Sequence, residues 1–505
     1  MISAFGSLEA VRRALFAQQG AIQTTGHNIA NANTAGYSRQ RVTFNPSLPY
    51  PSVGFNRPQI SGQIGTGVDI GSIDRIRDSF LDNQVRGEAS SVGYWSAKSD
   101  ALSKLENLMN EPSDHGLSKV LDDFWQSLQD LASNPENSGT RSVVRQRGQT
   151  VADTFHYLSS QLNKQQDDLK MQMGVSVDKV NALVQQINEI NKQIAKTEPN
   201  GYAANDLYDQ RDALVDELSQ YVDIRVSTVS SGGLSPGNAV GKYTIQMVAK
   251  DPSTGQEKTY TLVDGNNLKA HKLQIDFSGD SPSLSVDGNA IPAGYSTGGS
   301  IQGSIESYSN VPNMLSALDQ MAYNLVKAFN KVHEGGYGHA ADGQTPPTGN
   351  LFFNDLDDVK GAAANIDLSD AIKSSIDNIA ASSDPNGSGD NTIAQNLADV
   401  LSKQNMTFQV ANGADTETAT TTLKGFLQSI IGQLGVNAEA ANRNMANSQT
   451  LMANADQRRM SVSGVSLDEE MTSLIQYQHA YNAAARMVTV IDQMLDTIVN
   501  QMGRS

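Results

Sequence analysis

The chain runs to 505 residues, enough for about three domains at roughly 100–200 residues each. Its 37 Lys+Arg stand against 54 Asp+Glu, a formal net charge of -17. That balance excludes nucleic acid as the main partner, because phosphate binding needs a basic face and counterion release. No apolar run reaches the about 20 residues of a bilayer span, so a membrane protein is excluded too.

Cysteine is absent, which removes disulfides, thiolate metal sites and cysteine nucleophiles. Such a chain suits passage through a narrow export channel while unfolded, followed by work outside the cell without cross-links. Met1 to Phe5 lack the basic and long apolar regions of a secretory signal, so any export is expected to take another route.

At the N-terminal end no Asp, Glu, Lys or Arg occurs from Ala14 to Ser38. Leu8, Leu15, Ile22 and Ile29 recur every seven residues, with Ala4, Val11, Gln18 and Thr25 as the companion row. Seven is the period of a coiled-coil seam. Asn31, Asn33 and Gly36, followed by Tyr37, are expected to make a bend after this helix. Gln40 to Ile76 reads as extended and turn-rich, with Asn45-Pro46, Tyr50-Pro51, Arg57-Pro58 and Gly65-Thr66-Gly67.

Helical spacing governs about 77–221. Leu102, Leu105 and Leu108 share a face, as do Leu117, Leu121, Phe124 and Leu128. Asn134-Pro135 marks a break. A long helix follows, with Leu158, Leu162, Leu169, Val177, Val180, Val184, Ile187, Ile190 and Ile194, and Asn200-Gly201 closes it. After Val222 alternation takes over: Tyr243, Ile245 and Met247; Tyr260 and Leu262 before Asp264-Gly265; Leu284 and Val286 before Asp287-Gly288. These are hairpin signals and predict an all-β domain over 223–304. Helical spacing returns at Leu315, Leu318 and Leu325, the stretch 335–420 is mixed, and Leu423, Phe426, Leu427, Ile430 and Ile431 begin a return helix.

The C-terminal end mirrors the first. No Asp, Glu, Lys or Arg occurs from Met471 to Ala485. Leu467, Met471, Leu474, Gln478, Tyr481, Ala485, Val488, Ile491, Leu495, Ile498 and Met502 take ten steps over 35 residues, a mean of 3.5. Ser466 and Glu469 fit a capping box. The outer faces of both ends carry Gln, Asn, Ser, Thr, Ala and His, which suits contact with further helices better than contact with water. An internal core helix of a monomer is the competing reading. One buried seam does not offset the backbone entropy of ordering such a segment. Both ends are therefore predicted to be disordered in the free chain and to fold on joining neighbours.

The predicted fold class is α+β and multi-domain: a long helical bundle or coiled coil built from both terminal halves, with an inserted all-β domain. The predicted boundaries are 1–45 with 465–505 for the terminal coiled coil, 46–222 with 305–464 for the helical core, and 223–304 for the β insert. Helices out, helices back and matching ends describe a strut with both termini at its base.

Catalytic patterns fail one by one. Gly237 to Lys242 lacks the first glycine and the hydroxyl residue of a phosphate loop. Gly298-Gly299-Ser300 does not satisfy a nucleophile elbow. His333, Glu334, His339 and Asp342 lack metal-ligand spacing and read as solvated loop residues. Asp206, Asp209, Asp212 and Asp216 share one helical face that reads as exposed and charged, with a cation site or acid/base pair as the alternative. His27 and His479 are expected to pack or hydrogen-bond. No enzyme, cofactor or metal is expected.

The continuous stretch Asn28 to Gln40, with Asn31, Ala32, Asn33, Thr34, Ala35, Gly36 and Tyr37 at its centre, resembles the N-terminal signature of the bacterial flagellar rod, hook and hook-associated axial proteins. Gly464 to Glu470, continuing through Tyr477-Gln478-His479-Ala480-Tyr481 and Ala483 to Arg486, resembles their C-terminal signature. Gly65 to Val68, Arg75 to Leu81, Leu207 to Leu218, Gly299 to Glu306, Ala328 to His333 and Leu351 to Phe353 narrow this to the hook-associated protein 1 family. The resemblance implies export through the flagellar type III apparatus without a cleaved signal, from the cytoplasm to the hook–filament junction. It implies self-assembly, contact with hook protein and hook-associated protein 3, and an export chaperone at the C-terminal segment. It also implies an inner layer made from 4–29 and 467–502. A hook or rod type, or a flagellum-borne adhesin or hydrolase using the β insert, are the alternatives.

Overall fold

A computed structural model describes the chain except for residues 1–3, 52–61, 110–112, 114–115, 280, 341–343, 388, 404, 413–414 and 498–505. Arg57-Pro58, Asp342 and the seam positions Ile498 and Met502 lie outside the described residues.

Helix α1 (Ala4–Ala30) is followed by β1 (Gln40–Pro46) and β2 (Val68–Arg75), which pair antiparallel from Gln40↔Arg75 to Pro46↔Val68. Next come α2 (Ser79–Met109), α3 (Leu117–Ser133), α4 (Ser138–Thr197) and α5 (Asn205–Ser219). Helix α4 is unbroken for 60 residues, about 90 Å at 1.5 Å per residue. Asn137 caps it by accepting from Gly139 N at 2.7 Å, and Gly201 at φ 87° turns the chain away at its far end.

Two small antiparallel sheets follow: β3 (Ile224–Val229), β4 (Lys242–Lys250), β5 (Glu257–Asp264) and β6 (Lys269–Ala270) in that order, then β7 (Leu273–Asp276), β8 (Ser283–Val286) and β9 (Asn289–Ala290). Asp287 and Gly288, both at positive φ, form the two-residue turn between β8 and β9 that the Asp-Gly pair predicts. The alternation holds: Tyr243, Ile245, Met247 and Leu262 point into a core shared with Val180, Val184 and Ile187 of α4 and with Val215 and Leu218 of α5. Three asparagines of α4 bind the backbone of the sheets, two at strands and one at the turn before β6. Asn181 bonds both the N–H and the carbonyl of Leu273 (2.8 and 2.9 Å), Asn191 does the same at Tyr243 (3.0 and 2.9 Å), and Asn188 donates to Leu268 O (2.9 Å).

Helix α6 (Gly299–Glu334) begins earlier than Leu315, where helical spacing first shows in the sequence, and packs along α2. Short helices α7 (Ala362–Asn365), α8 (Asp370–Ser374) and α9 (Thr392–Ser402) and the hairpin β10 (Met406–Asn412)–β11 (Asp415–Thr421) fill the mixed stretch. Phe124, Phe329, Phe352 and Phe353 form the aromatic centre of the main helical core, in which α3, α4, α6 and α9 meet.

His333 is a correction to the solvated-loop reading. It is buried at the end of α6, bonded through Nδ1 to Asn350 O (2.7 Å) and accepting from Ala380 N at Nε2 (2.9 Å). The glycines after it begin only where the helix ends. Helix α10 (Leu423–Ser463) returns along α2, burying the small residues Ala438, Ala441, Ser448 and Ala455, and α11 (Leu467–Asp496) closes the chain against α1.

Candidate assembly interface

The two charge-poor ends meet as helices. Ala17, Ala21, Thr24, Thr25 and Asn28 are the buried positions of α1, while Leu8, Val11, Leu15, Ile22 and Ile29 are half-buried. On α11, Ile491 is buried and Leu474, Val488 and Leu495 are half-buried. Leu467, Met471 and Tyr481 are exposed, as are Ile475, Met487, Val490 and Met494. The seam positions of α11 therefore divide: from Ala485 onward the described ones turn inward, while before it all but Leu474 face solvent. Exposed methionines and aliphatics recurring along a helix are unlike ordinary solvent-facing helix surface.

The bend after α1 is built around Asn28, which is buried and satisfied on every side. Its amide donates to Gln40 O (2.8 Å) and to Glu470 Oε2 (3.0 Å), and its oxygen accepts from Tyr37 OH (2.8 Å) and Gln40 N (3.0 Å). Burial, with the carboxylates of Asp209, Asp206 and Glu470 nearby, pushes the Tyr37 hydroxyl well above its usual range, so it stays a donor. His27 Nδ1 lies 3.0 Å from the same hydroxyl. Asn31 caps back through Nδ2 to His27 O (3.1 Å), and Asn33 is exposed. Gly36 takes φ 78°, and a Cβ there would lie 3.1 Å from that of Ala213. Only glycine takes that backbone shape without strain.

Arg39 then clamps the start of α11, reaching Glu470 (2.7 Å) and Glu469 (2.7 Å). The capping box is corrected accordingly. Ser466 makes no side-chain cap bond, and Glu469 serves Arg39 instead.

Behind the bend lies a buried ion cluster. Asp209 and Asp212 do not sit on an exposed face; their side chains are 8% and 1% exposed. Arg75 pairs with Asp209 (2.7 Å) and Asp212 (2.9 Å), Arg77 with Asp82 (2.7 Å) and Asp212 (3.4 Å), and Arg86 with Asp216 (2.8 Å) and Asp212 (3.4 Å). Arg459 of α10 reaches Asp216, and Tyr243 donates to Asp212 at 2.9 Å. Burial raises the Asp212 carboxyl, but Arg77, Arg75 and Arg86 outweigh it and hold the group below the usual carboxylate range. Ser38 N donates to Asp209 (3.2 Å) and Arg39 N to Ser463 O (2.9 Å), so the bend, α2, α5 and α10 are joined at one point. Guanidinium forks between carboxylates give fixed angles that lysines would not.

The sequence reading missed the roles of Arg39, Arg75, Arg77, Arg86, Arg459 and Glu470. The usable signal was the Asp209, Asp212, Asp216 spacing beside Arg75-x-Arg77, since a helical face of carboxylates needs cations when it is buried. Among the described residues no group of three or more His, Cys, Asp or Glu is placed to hold a metal ion, and no helix is long and apolar enough to cross a membrane.

Comparison with known proteins agrees with this arrangement. Residues 102–353 match the flagellar hook-associated protein FlgK helical domain, 8–37 the flagella basal body rod protein family, and 456–502 the flagellar basal body rod FlgEFG protein C-terminal family. Flagellar hook-associated protein 1 of Bacillus subtilis is 42% identical over 100% of this chain and 99% of its own length. Its Escherichia coli counterpart is 30% identical over 65% of this chain and 57% of its own. The structure of the flagellar hook junction protein FlgK from Burkholderia pseudomallei superposes with a TM-score of 0.57 at 15% identity, over 75% of this chain and 100% of that one. That likeness concerns the fold, and the full-length identity carries the relationship. The chain belongs to the flagellar hook-associated protein 1 family, structural axial proteins of the bacterial flagellum that form the hook–filament junction.

Proposed function

We propose that copies of this chain assemble through α1 and α11, whose helices pack with those of neighbouring copies into an inner layer at the distal end of the hook. Hook protein is the partner on one side and hook-associated protein 3 on the other. The chain leaves the cytoplasm through the flagellar export apparatus, with a chaperone covering the C-terminal segment until then. Its role is structural, without catalysis.

The observation that carries this reading is the exposed apolar surface of α11, with Leu467, Met471 and Ile475 near its start and Met487, Val490 and Met494 further along, each about half exposed. Among the described residues nothing covers these side chains fully, and they gain burial once a second copy packs on them. Met487 is 51% exposed, so Met487→Asp leaves the single chain folded while placing a charge between copies. With this variant as the sole copy, cells are expected to make hooks that carry at least about tenfold fewer filaments and to shed the chain into the medium. Leu474→Asp and Ile22→Asp are expected to act the same way, with unchanged circular dichroism of the middle region. Normal filament number in all three would refute the reading. In limited proteolysis the free chain is expected to lose both ends and leave a core of about 45–465.

A further inference from the structure

The apolar seams of α1 and α11 cannot by themselves fix how the two helices align. Leu8, Leu15, Ile22 and Ile29 repeat every seven residues, and the α11 row repeats every 3.5 on average. Sliding one helix by seven residues, about 10 Å at 1.5 Å per residue, returns the Leu8–Leu15–Ile22–Ile29 row to equivalent places, and the polar seam positions Gln18, Thr25 and Gln478 are uncharged. In coiled coils a single buried polar residue removes that degeneracy, because only one alignment satisfies it.

Here the polar contact is Asn28 with Glu470. Glu470 is 3% exposed although its neighbours Asp468 and Glu469 are exposed. Its Oε2 accepts from Asn28 Nδ2 at 3.0 Å and its Oε1 from Arg39 Nε at 2.7 Å. Asn28 cannot move to follow a sliding α11, since Gln40 and Tyr37 hold its other three bonds. Arg39 is tied by its own N–H to Ser463 O, at the end of α10. A shift of α11 by one heptad would leave a buried carboxylate without its cation and a buried amide without its acceptor, both strongly penalised.

We propose that Glu470, received by Asn28 and Arg39, is a register lock: it admits α11 against α1 in one alignment and so fixes the terminal helix pair relative to the core at each copy. Glu470 is a positioning residue for assembly. This rests on the assembly reading above, in which the helix pair forms the inner layer.

Because the chain has no cysteine, spin labels can be placed cleanly at Gln19→Cys on α1 and Asn482→Cys on α11, both exposed positions. Labelled full-length chain is mixed with an excess of unlabelled chain, assembled on isolated hooks, and read by pulsed electron spin resonance. The otherwise unaltered chain is expected to give one narrow distance. Glu470→Leu adds an apolar side chain beside the seam and should still pair, but with a second population displaced by about one heptad, near 10 Å along the axis, in which the first two turns of α11 unwind to lengthen the three-residue connection from Ser463. Glu470→Gln retains an acceptor for Asn28 and should restore the single distance.

A single unaltered distance in Glu470→Leu overturns the lock, and so does complete loss of pairing, which would mean that Glu470 serves stability alone. The assembly reading is tested separately by Met487→Asp. If that variant enters hooks normally, the reading falls. If it is blocked while Glu470→Leu shows one register, only the lock falls.

Discussion

Replacing Asp212 by asparagine keeps the shape of the side chain and removes its charge from the buried cluster. Asp212 is 1% exposed and touches Arg75 at 2.9 Å, Arg77 and Arg86 at 3.4 Å each, and Tyr243 OH at 2.9 Å. With Asp82, Asp209, Asp216 and Asp456 it faces Arg75, Arg77, Arg86, Arg459 and the buried Arg211, five charges against five, so Asp212→Asn leaves one positive charge in excess. Removing one partner of a buried ion pair costs about 3–5 kcal/mol. The lower end applies, about 3 kcal/mol, because Arg75, Arg77 and Arg86 keep Asp209, Asp82 and Asp216 at 2.7–2.8 Å. At a urea slope of about 3 kcal/mol per M, the transition that reports the α2–α5–α10 junction should move down by about 1 M. Asp206→Asn, at an exposed position of the same helix, is the control and should stay within about 0.5 kcal/mol. The stability gap between the unaltered chain and Asp212→Asn should also follow pH with a definite sign. The folded carboxyl lies below its usual value, so its contribution is complete above about pH 4 and is lost progressively as pH falls from there through the depressed value. Equal urea midpoints for Asp212→Asn and Asp206→Asn would refute the buried-cluster argument.

Two smaller predictions follow from the other corrections. Burial lowers the pKa of His333 from 6.5 to about 4, so its stabilising neutral form is complete above pH 6.5 and its contribution is lost progressively as pH falls toward 4. That amounts to about 3 kcal/mol; protection of the Ala380 amide against hydrogen exchange should fall across this window, and a flat profile would refute it. Ser466→Ala should change stability by less than about 0.5 kcal/mol, since Ser466 caps nothing through its side chain, and a loss near the 1 kcal/mol of a working cap would restore the capping box.

Features governed by local period were legible in the sequence, and those governed by distant charge were not. The alternation of Tyr243, Ile245 and Met247 and the rows along α4 are decided by which side of a strand or helix is apolar, and the structure keeps them. The Asp209–Asp212–Asp216 face was misread because its cations arrive from β2, α2 and α10, up to 243 positions away. A helical pattern of carboxylates looks the same whether water or arginine faces it. His333 was misread for a related reason: Gly335 and Gly336 suggest a loop, but Asn350 and Ala380 come back to cover the ring. The signature residues Asn31, Asn33 and Gly36 lie between α1 and β1, while the residue that gathers the hydrogen bonds there, Asn28, looked like one more polar position on a helix.

The placement of charge separates two physical tasks. Within α1 and α11 the stretches 14–30 and 471–485 carry no Asp, Glu, Lys or Arg, which lets apolar and neutral polar groups meet without the desolvation cost of ions. That freedom carries a hazard, because repetitive apolar seams tolerate sliding. The charges removed from the helix faces reappear at the root of the pair, where Arg39 holds Glu469 and Glu470 and the Arg75–Arg77–Arg86–Arg459 group holds four aspartates. Buried ion pairs contribute little net stability against apolar packing, but one misplaced partner is expensive. An arrangement that is costly when misaligned and nearly neutral when aligned is what an angle-setting joint requires. In the assembly proposed above, weak, general contacts along α1 and α11 bring copies together while the orientation of each core is decided at one place.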